Sequence, residues 1–310
     1  PPGWALFARN QPQNLTHGGE NVLPNFVVIG AMKAGTTSLW SYLRGHPQVF
    51  MTDYKEPSYF SAERNWHRGR EWYESLFSGA GEAVAVGEAS TAYTKHPVHD
   101  GVPERMARLI PEARLVYLVR DPIERVRSHC EFALRYAYEE GPPERAALED
   151  PKYVTYSRYA FQIDQYLEWF PREQLLVVTS ESLRSERRLT LRRIFEFLGV
   201  DPSWVPPDLD VEYYASRRRL PRAFAQRLRQ LPGYRHIARA VPPAVRSAFS
   251  RMATREEVRA AERAGGQERE GHRPVRLAGD IRAELEHRLA DDVARLRAFL
   301  GNEFDGWGLA

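Results

Sequence analysis

Apolar residues along this chain gather in short unbroken runs, each closed by a glycine or a charged turn and followed by helical spacing. Phe26-Val27-Val28-Ile29 ends at Gly30, and beyond a glycine-bearing turn the spacing predicts a helix over about Thr36 to Arg44. Leu115 to Val119 leads through Arg120-Asp121-Pro122 into a helical pattern beginning near Ile123, and Leu175 to Val178 precedes a helical stretch over about Leu189 to Leu198. Strands that are apolar at every position are buried on both faces. Their alternation with helices predicts an α/β fold in three layers, a central parallel sheet flanked by helices, with ligands at the carboxyl ends of the strands.

The remaining chain is organised around that core. Residues 1–24 are polar and rich in Pro, Asn and Gly and read as a leader, so the domain is expected over 25–310. Between Pro142 and Leu167 dense tyrosines and arginines predict an aromatic-rich helix, not a linker. Residues 250–273 are charged, then broken by Gly265-Gly266 and Gly271, and read as a mobile charged insertion. Asp280 to Leu300 has helical periodicity and stops at Gly301, with Trp307 expected to pack the tail back onto the core.

Charge and cysteine content narrow the partners. A net charge of +3 over 310 residues supplies no broad positive field, so nucleic acid is not an expected partner and anion recognition has to be local. Arginine supplies almost all of the basic charge: lysine occurs only at positions 33, 55, 95 and 152, and the first two fall inside the motifs below. The single Cys130 forms no disulfide within the chain, which fits a reducing compartment and a cytoplasmic location. No apolar run reaches the length of a membrane span, while the opening Pro leaves the natural start undetermined.

Two segments read as anion sites. Gly30-Ala31-Met32-Lys33-Ala34-Gly35-Thr36-Thr37 joins a strand to a helix, so backbone N–H groups and the helix dipole converge where a phosphate fits. The geometry is P-loop-like without the Walker A wording, because the lysine precedes the second glycine by two positions. An ordinary strand-to-helix turn with a surface lysine is the plain alternative. The second segment, Arg120 to Ser128, puts a fixed guanidinium at a strand end and a hydroxyl two turns down the next helix. A nucleotide with a separate ribose phosphate would need both; a strand-end ion pair between Arg120 and Asp121 is the plain reading.

The segments NFVVIGAMKAGTTSLWSYLRGHPQV and YLVRDPIERVRSHCEF, with KEPSYF between them, resemble the PAPS-dependent sulfotransferase family, where PAPS is 3′-phosphoadenosine 5′-phosphosulfate. The likeness is to bacterial members and the heparan sulfate branch; it covers about residues 25–200. It implies that Lys33, Ala34, Gly35, Thr36 and Thr37 hold the 5′-phosphosulfate and that Arg120 and Ser128 hold the 3′-phosphate. Arg217 and Arg218 fall where such proteins close a loop over the nucleotide. Adenosine 3′,5′-bisphosphate is the implied product, no metal is expected, and Lys33 is placed at the oxygen bridging phosphorus and sulfur, where charge grows.

Sulfuryl transfer also needs a group that takes the acceptor's proton, and Glu56, in Lys55-Glu56-Pro57-Ser58-Tyr59-Phe60, is the candidate base. Glu88 is a second acidic candidate; the heparan sulfate enzymes have a lysine after that glutamate, and this chain has Ala89, which weakens any transfer of polysaccharide specificity. His129 is a third and weaker choice, because its neighbour Ser128 points elsewhere on the helix. Lys55, Ser58, Tyr93 and Tyr159 are expected to contact a small-molecule or carbohydrate acceptor. A P-loop kinase or nucleotide hydrolase, or a nucleotide-binding module without activity, are the alternatives.

Overall fold

The structure, a computed structural model, describes residues 22–135, 143–207, 209, 275–301 and 303–309. Most of the expected leader, the 250–273 insertion, Arg217 and Arg218 lie outside the described residues. Five strands form one parallel sheet: β1 (Phe26–Gly30), β2 (Val49–Met51), β3 (Ala85–Ala89), β4 (Arg114–Val119) and β5 (Leu175–Thr179), in the order β2-β3-β1-β4-β5. Every residue of β1 is buried, as is all of β4 beyond Arg114, which is why these two strands read as continuous apolar runs. Asn25 ties the entry of the sheet together. Its backbone N–H donates to Val86 O at 2.9 Å, its side-chain amide to Val84 O at 2.8 Å, and its carbonyl accepts from Arg114 N at 2.9 Å.

Helices flank this sheet. Those that bear on the site are α1 (Thr36–Gly45), α2 (Gly69–Ser75), α3 (Val102–Leu109), α4 (Pro122–Arg135), α5 (Pro143–Glu149), α6 (Pro151–Thr155) and α7 (Tyr159–Leu167). Beyond β5 come α8 (Ser180–Ser185) and α9 (Arg187–Leu198), and α10 (Gly279–Leu300) is the last described α-helix. The predicted α1, α4, α9 and α10 are present with boundaries shifted by a few residues. The single aromatic helix expected between Pro142 and Leu167 is instead α5, α6 and α7. Asp150 accepts from Lys152 N at 3.0 Å and Pro151 follows it, a cap and first-turn proline that begin a new helix there.

β3 escapes sequence reading because Gly87 and Glu88 interrupt its apolar run. The glycine is required: a Cβ on Gly87 would stand 2.4 Å from the ring of Phe26 on the neighbouring strand. The chain end packs as expected, with the Trp307 ring centroid 4.7 Å from Phe304 and 6.0 Å from Tyr159. A contact from far along the chain starts α7. Buried Asp292 of α10 accepts from Ala160 N at 3.0 Å and Phe161 N at 2.9 Å, satisfying N–H groups that a helix leaves open in its first turn.

Candidate functional site

The central strand β1 has β3 on one side and β4 on the other, so the chain reverses its winding there and opens a crevice at the strands' carboxyl ends. The Lys33 loop leaves β1 into that crevice. Gly35, at φ 98°, takes the left-handed backbone that turns the chain into α1. Among the described residues no side chain caps this helix, and no acid sits in its first turn. Among the described residues, then, no side chain engages the N–H groups and dipole at this helix start, a place that suits an anion. Thr36 is buried and Thr37 half-buried at this end. Lys33 has φ 73° and its ammonium stands 4.8 Å from the centroid of the Phe132 ring.

The second segment meets the first directly. Arg120, at the end of β4, donates through Nη1 to the Lys33 carbonyl at 3.3 Å and through Nη2 to Glu124 Oε2 at 3.3 Å. Asp121 does not pair with Arg120. Its Oδ1 accepts from Ile123 N at 2.8 Å and Glu124 N at 3.2 Å, capping α4, with Pro122 as the first helical residue. Ser128 is half-buried further along α4. The Arg127 guanidinium, 2.7 Å from Glu124, holds the Glu124 carboxyl below its ordinary range, so the acid beside Arg120 is charged.

On the other side of β1 lies the acidic group. Glu56 follows β2, and its N–H pairs with Ala89 O at the end of β3 at 3.1 Å. Its Oε2 accepts from Thr91 N at 2.8 Å and Thr91 Oγ1 at 3.0 Å, while Lys55 Nζ is 3.3 Å from Oε1. The carboxylate is one-third exposed, open to a ligand and firmly oriented. Glu56 and Ser58 have φ of 62° and 48°. Together with Lys33 these are three of the four described non-glycine residues with positive φ, and such strained backbone gathers where a site requires it.

Glu88 is built differently. It is fully buried, with Tyr73 OH at 3.0 Å and Tyr93 OH at 2.5 Å on Oε1 and Ser90 Oγ at 2.6 Å on Oε2. Burial pushes its pKa up to about 7, against the lowering effect of the three hydroxyls. Ser90 Oγ in turn accepts from Ser58 N at 2.8 Å, so Glu88 supports the Glu56 loop from behind. The expected acceptor contacts divide. Lys55 borders the Glu56 carboxylate, and Ser58, only 7% exposed, donates to the Glu56 carbonyl at 3.4 Å. Tyr93 and Tyr159 are buried, their hydroxyls held by Glu88 and by the Arg120 carbonyl at 2.7 Å. The structure puts those two behind the crevice wall, where bulk and hydroxyl position other residues.

His129 is buried between Tyr153 and Tyr156, its Nδ1 3.5 Å from Arg125 Nη1. Burial first, then Arg125, Lys95, Lys152 and Lys33, push its pKa down to about 2. It is a neutral packed ring. Two groups have no role assigned from the sequence. Arg125 is fully buried, donating to Ser157 Oγ at 2.6 Å and Tyr153 O at 2.7 Å, and Lys95 follows the turn Thr91–Thr94 on the Glu56 side. The scarcity of lysine was the one signal that marked Lys95.

Residues 23–215 match the family model of the sulfotransferase domain. The bifunctional heparan sulfate N-deacetylase/N-sulfotransferase 4 of Mus musculus is 30% identical over 204 residues, 59% of this chain and 23% of that protein. The heparan sulfate glucosamine 3-O-sulfotransferase 3A1 of Mus musculus is 30% identical over 191 residues, 59% of this chain and 47% of that protein. This chain thus spans less than half the length of either relative. A sulfotransferase crystal structure from Alicyclobacillus acidocaldarius has the same fold, with a TM-score of 0.64 at 24% identity over 93% of this chain and 99% of that one. No helix among the described residues is long and apolar enough to cross a membrane.

Proposed function

Since the chain belongs to the sulfotransferase family, we propose that it moves a sulfuryl group from PAPS to a hydroxyl or amine of a small-molecule or carbohydrate acceptor. The observation that carries this reading is the contact between Arg120 and the Lys33 carbonyl, which makes the two anion segments walls of one crevice, as a doubly phosphorylated adenosine requires. The uncapped start of α1 fits the 5′-phosphate of that nucleotide. PAPS supplies the sulfuryl group when bound.

In this reading Thr36 and Thr37, with Lys33, Ala34 and Gly35 of the preceding turn, hold the 5′-phosphosulfate. Arg120 and Ser128 take the 3′-phosphate, and Arg217 and Arg218, outside the described residues, join them through the family resemblance alone. Glu56 accepts the acceptor's proton as the new bond to sulfur forms. Lys33 stabilises the charge left on the phosphate oxygen as its bond to sulfur breaks. The heparan sulfate names of the relatives favour a glycan as acceptor, and Ala89 leaves the class of glycan open.

Labelled-sulfate transfer from PAPS to a panel of sugars, phenols and amines, run with a metal chelator present, tests the proposal. Transfer is expected for at least one acceptor, together with calorimetric binding of adenosine 3′,5′-bisphosphate. A protein that binds neither nucleotide would overturn the reading.

A further inference from the structure

Lys95 stands on backbone that buried groups hold from both sides. Thr94 Oγ1 donates to Ile29 O at 3.2 Å, Tyr166 OH donates to Tyr93 O at 2.9 Å, and the Gln162 side chain clamps His96 by its N–H at 3.0 Å and its carbonyl at 2.9 Å. Gln162 and Tyr166 are almost fully buried, so this turn has little freedom. It is also the turn whose Thr91 orients Glu56. One rigid segment thus presents the candidate base's clamp and a cation together.

The Lys95 ammonium itself has a ring beneath it and charges around it. Its Nζ lies 5.7 Å from the centroid of Tyr156, and the half-buried side chain makes no hydrogen bond or ion pair among the described residues. Among the described residues, the titratable groups whose charge acts with it are Glu56 and Arg64 from the loop after β2, His99 from its own segment, and Arg125 and His129 from α4. Only Glu56 attracts it; His99 and His129 are held toward the neutral form. Arg64 is exposed and, among the described residues, has no ion pair through its side chain. Burial first, opposed by Glu56 and aided by Arg64 and Arg125, brings the Lys95 pKa down to about 8. A crowded ammonium with no hydrogen-bond partner is unfavourable unless an anion supplies one.

Resting on the sulfotransferase reading, we propose that Lys95, on the turn whose Thr91 orients Glu56, forms an oxyanion subsite on the acceptor side of Glu56, which binds a sulfate-like or carboxylate group separately from the two nucleotide phosphates. The subsite gives the crevice a positive acceptor wall in a chain that has Ala89 beside Glu88. It is charged at neutral pH and loses its charge as pH rises through about 8.

Inorganic sulfate is the probe, titrated into the full chain already saturated with adenosine 3′,5′-bisphosphate, so that both phosphate positions are filled. Wild type is expected to bind sulfate at neutral pH and to lose affinity toward about pH 9. Lys95→Met should weaken sulfate at least about tenfold, the scale of one charge-assisted contact, and Lys95→Arg should keep it across that whole range. Unchanged nucleotide affinity in both variants shows that the fold is intact. Sulfate that fails to bind the loaded wild type, or binds Lys95→Met equally well, overturns the subsite while leaving the sulfotransferase reading standing. Failure of the nucleotide itself to bind overturns both.

Discussion

Lys33 and Glu56 flank the same central strand, yet their surroundings are made in different ways. The Lys33 loop is local: a strand end, a left-handed glycine and the start of a helix follow one another within a few residues, and the donors it offers are largely main chain. The Glu56 side is assembled from distance. Thr91 grips its carboxylate across 35 positions, Ser58 leans on Ser90 across 32, and Glu88 is held by hydroxyls from α2 and from the turn after β3. A phosphate is recognised by donors that any backbone supplies, whereas a carboxylate that is to be oriented and left partly open needs side chains brought in from elsewhere. On the proposed reading, the donor side is therefore built locally and the acceptor side by tertiary contacts.

That contrast can be broken most severely at Lys33. Lys33→Ala should lower transfer by about two to three orders of magnitude at saturating nucleotide, the scale of losing one charge-stabilising group, and an unchanged turnover in single-turnover assays would remove it from the mechanism. Glu56→Gln should cost about a hundredfold in turnover while leaving the Kd of adenosine 3′,5′-bisphosphate nearly unchanged. Equal losses in both would move Glu56 to the donor side and erase the distinction.

Smaller effects sharpen it. Tyr159→Phe removes the hydroxyl on the Arg120 carbonyl, and nucleotide affinity measured by calorimetry should fall roughly fivefold, about 1 kcal/mol for one neutral hydrogen bond. Glu88 predicts a slope. Its folded pKa of about 7 lies above the ordinary 4.5, so its contribution to stability is fully present below about 4.5 and is lost as pH rises through 7. Thermal unfolding of wild type and Glu88→Gln across that window should show the slope in the wild type and its disappearance in the variant. The smallest change is expected at His129, a ring already neutral: in His129→Asn the acid limb of the rate profile should stay where it is in wild type.

Particular residues show how far the primary structure reaches. Apolar runs placed β1, β4 and β5 correctly, and glycine, threonine and proline at fixed offsets marked the starts of α1 and α4. Asp121 illustrates the limit, since Arg-Asp-Pro also reads as an ion pair and only the coordinates show a helix cap. Tyr93 and Tyr159 illustrate another. Aromatic residues are as common in a core as in a cleft, and nothing local tells which side of a sheet edge a tyrosine occupies.

By itself, then, the order of residues determined the alternating strands and helices, the glycine-bearing turn at Lys33 that leads into α1, and an arginine at a second strand end, because hydrophobic periodicity and turn chemistry act over a few residues. Only the folded chain decided that Arg120 touches the Lys33 carbonyl, that Glu88 is sealed behind Glu56, and that the Lys95 side chain stands there with no hydrogen bond among the described residues. Those outcomes depend on burial and on neighbours brought from far along the chain, and desolvation is a property of a place in three dimensions.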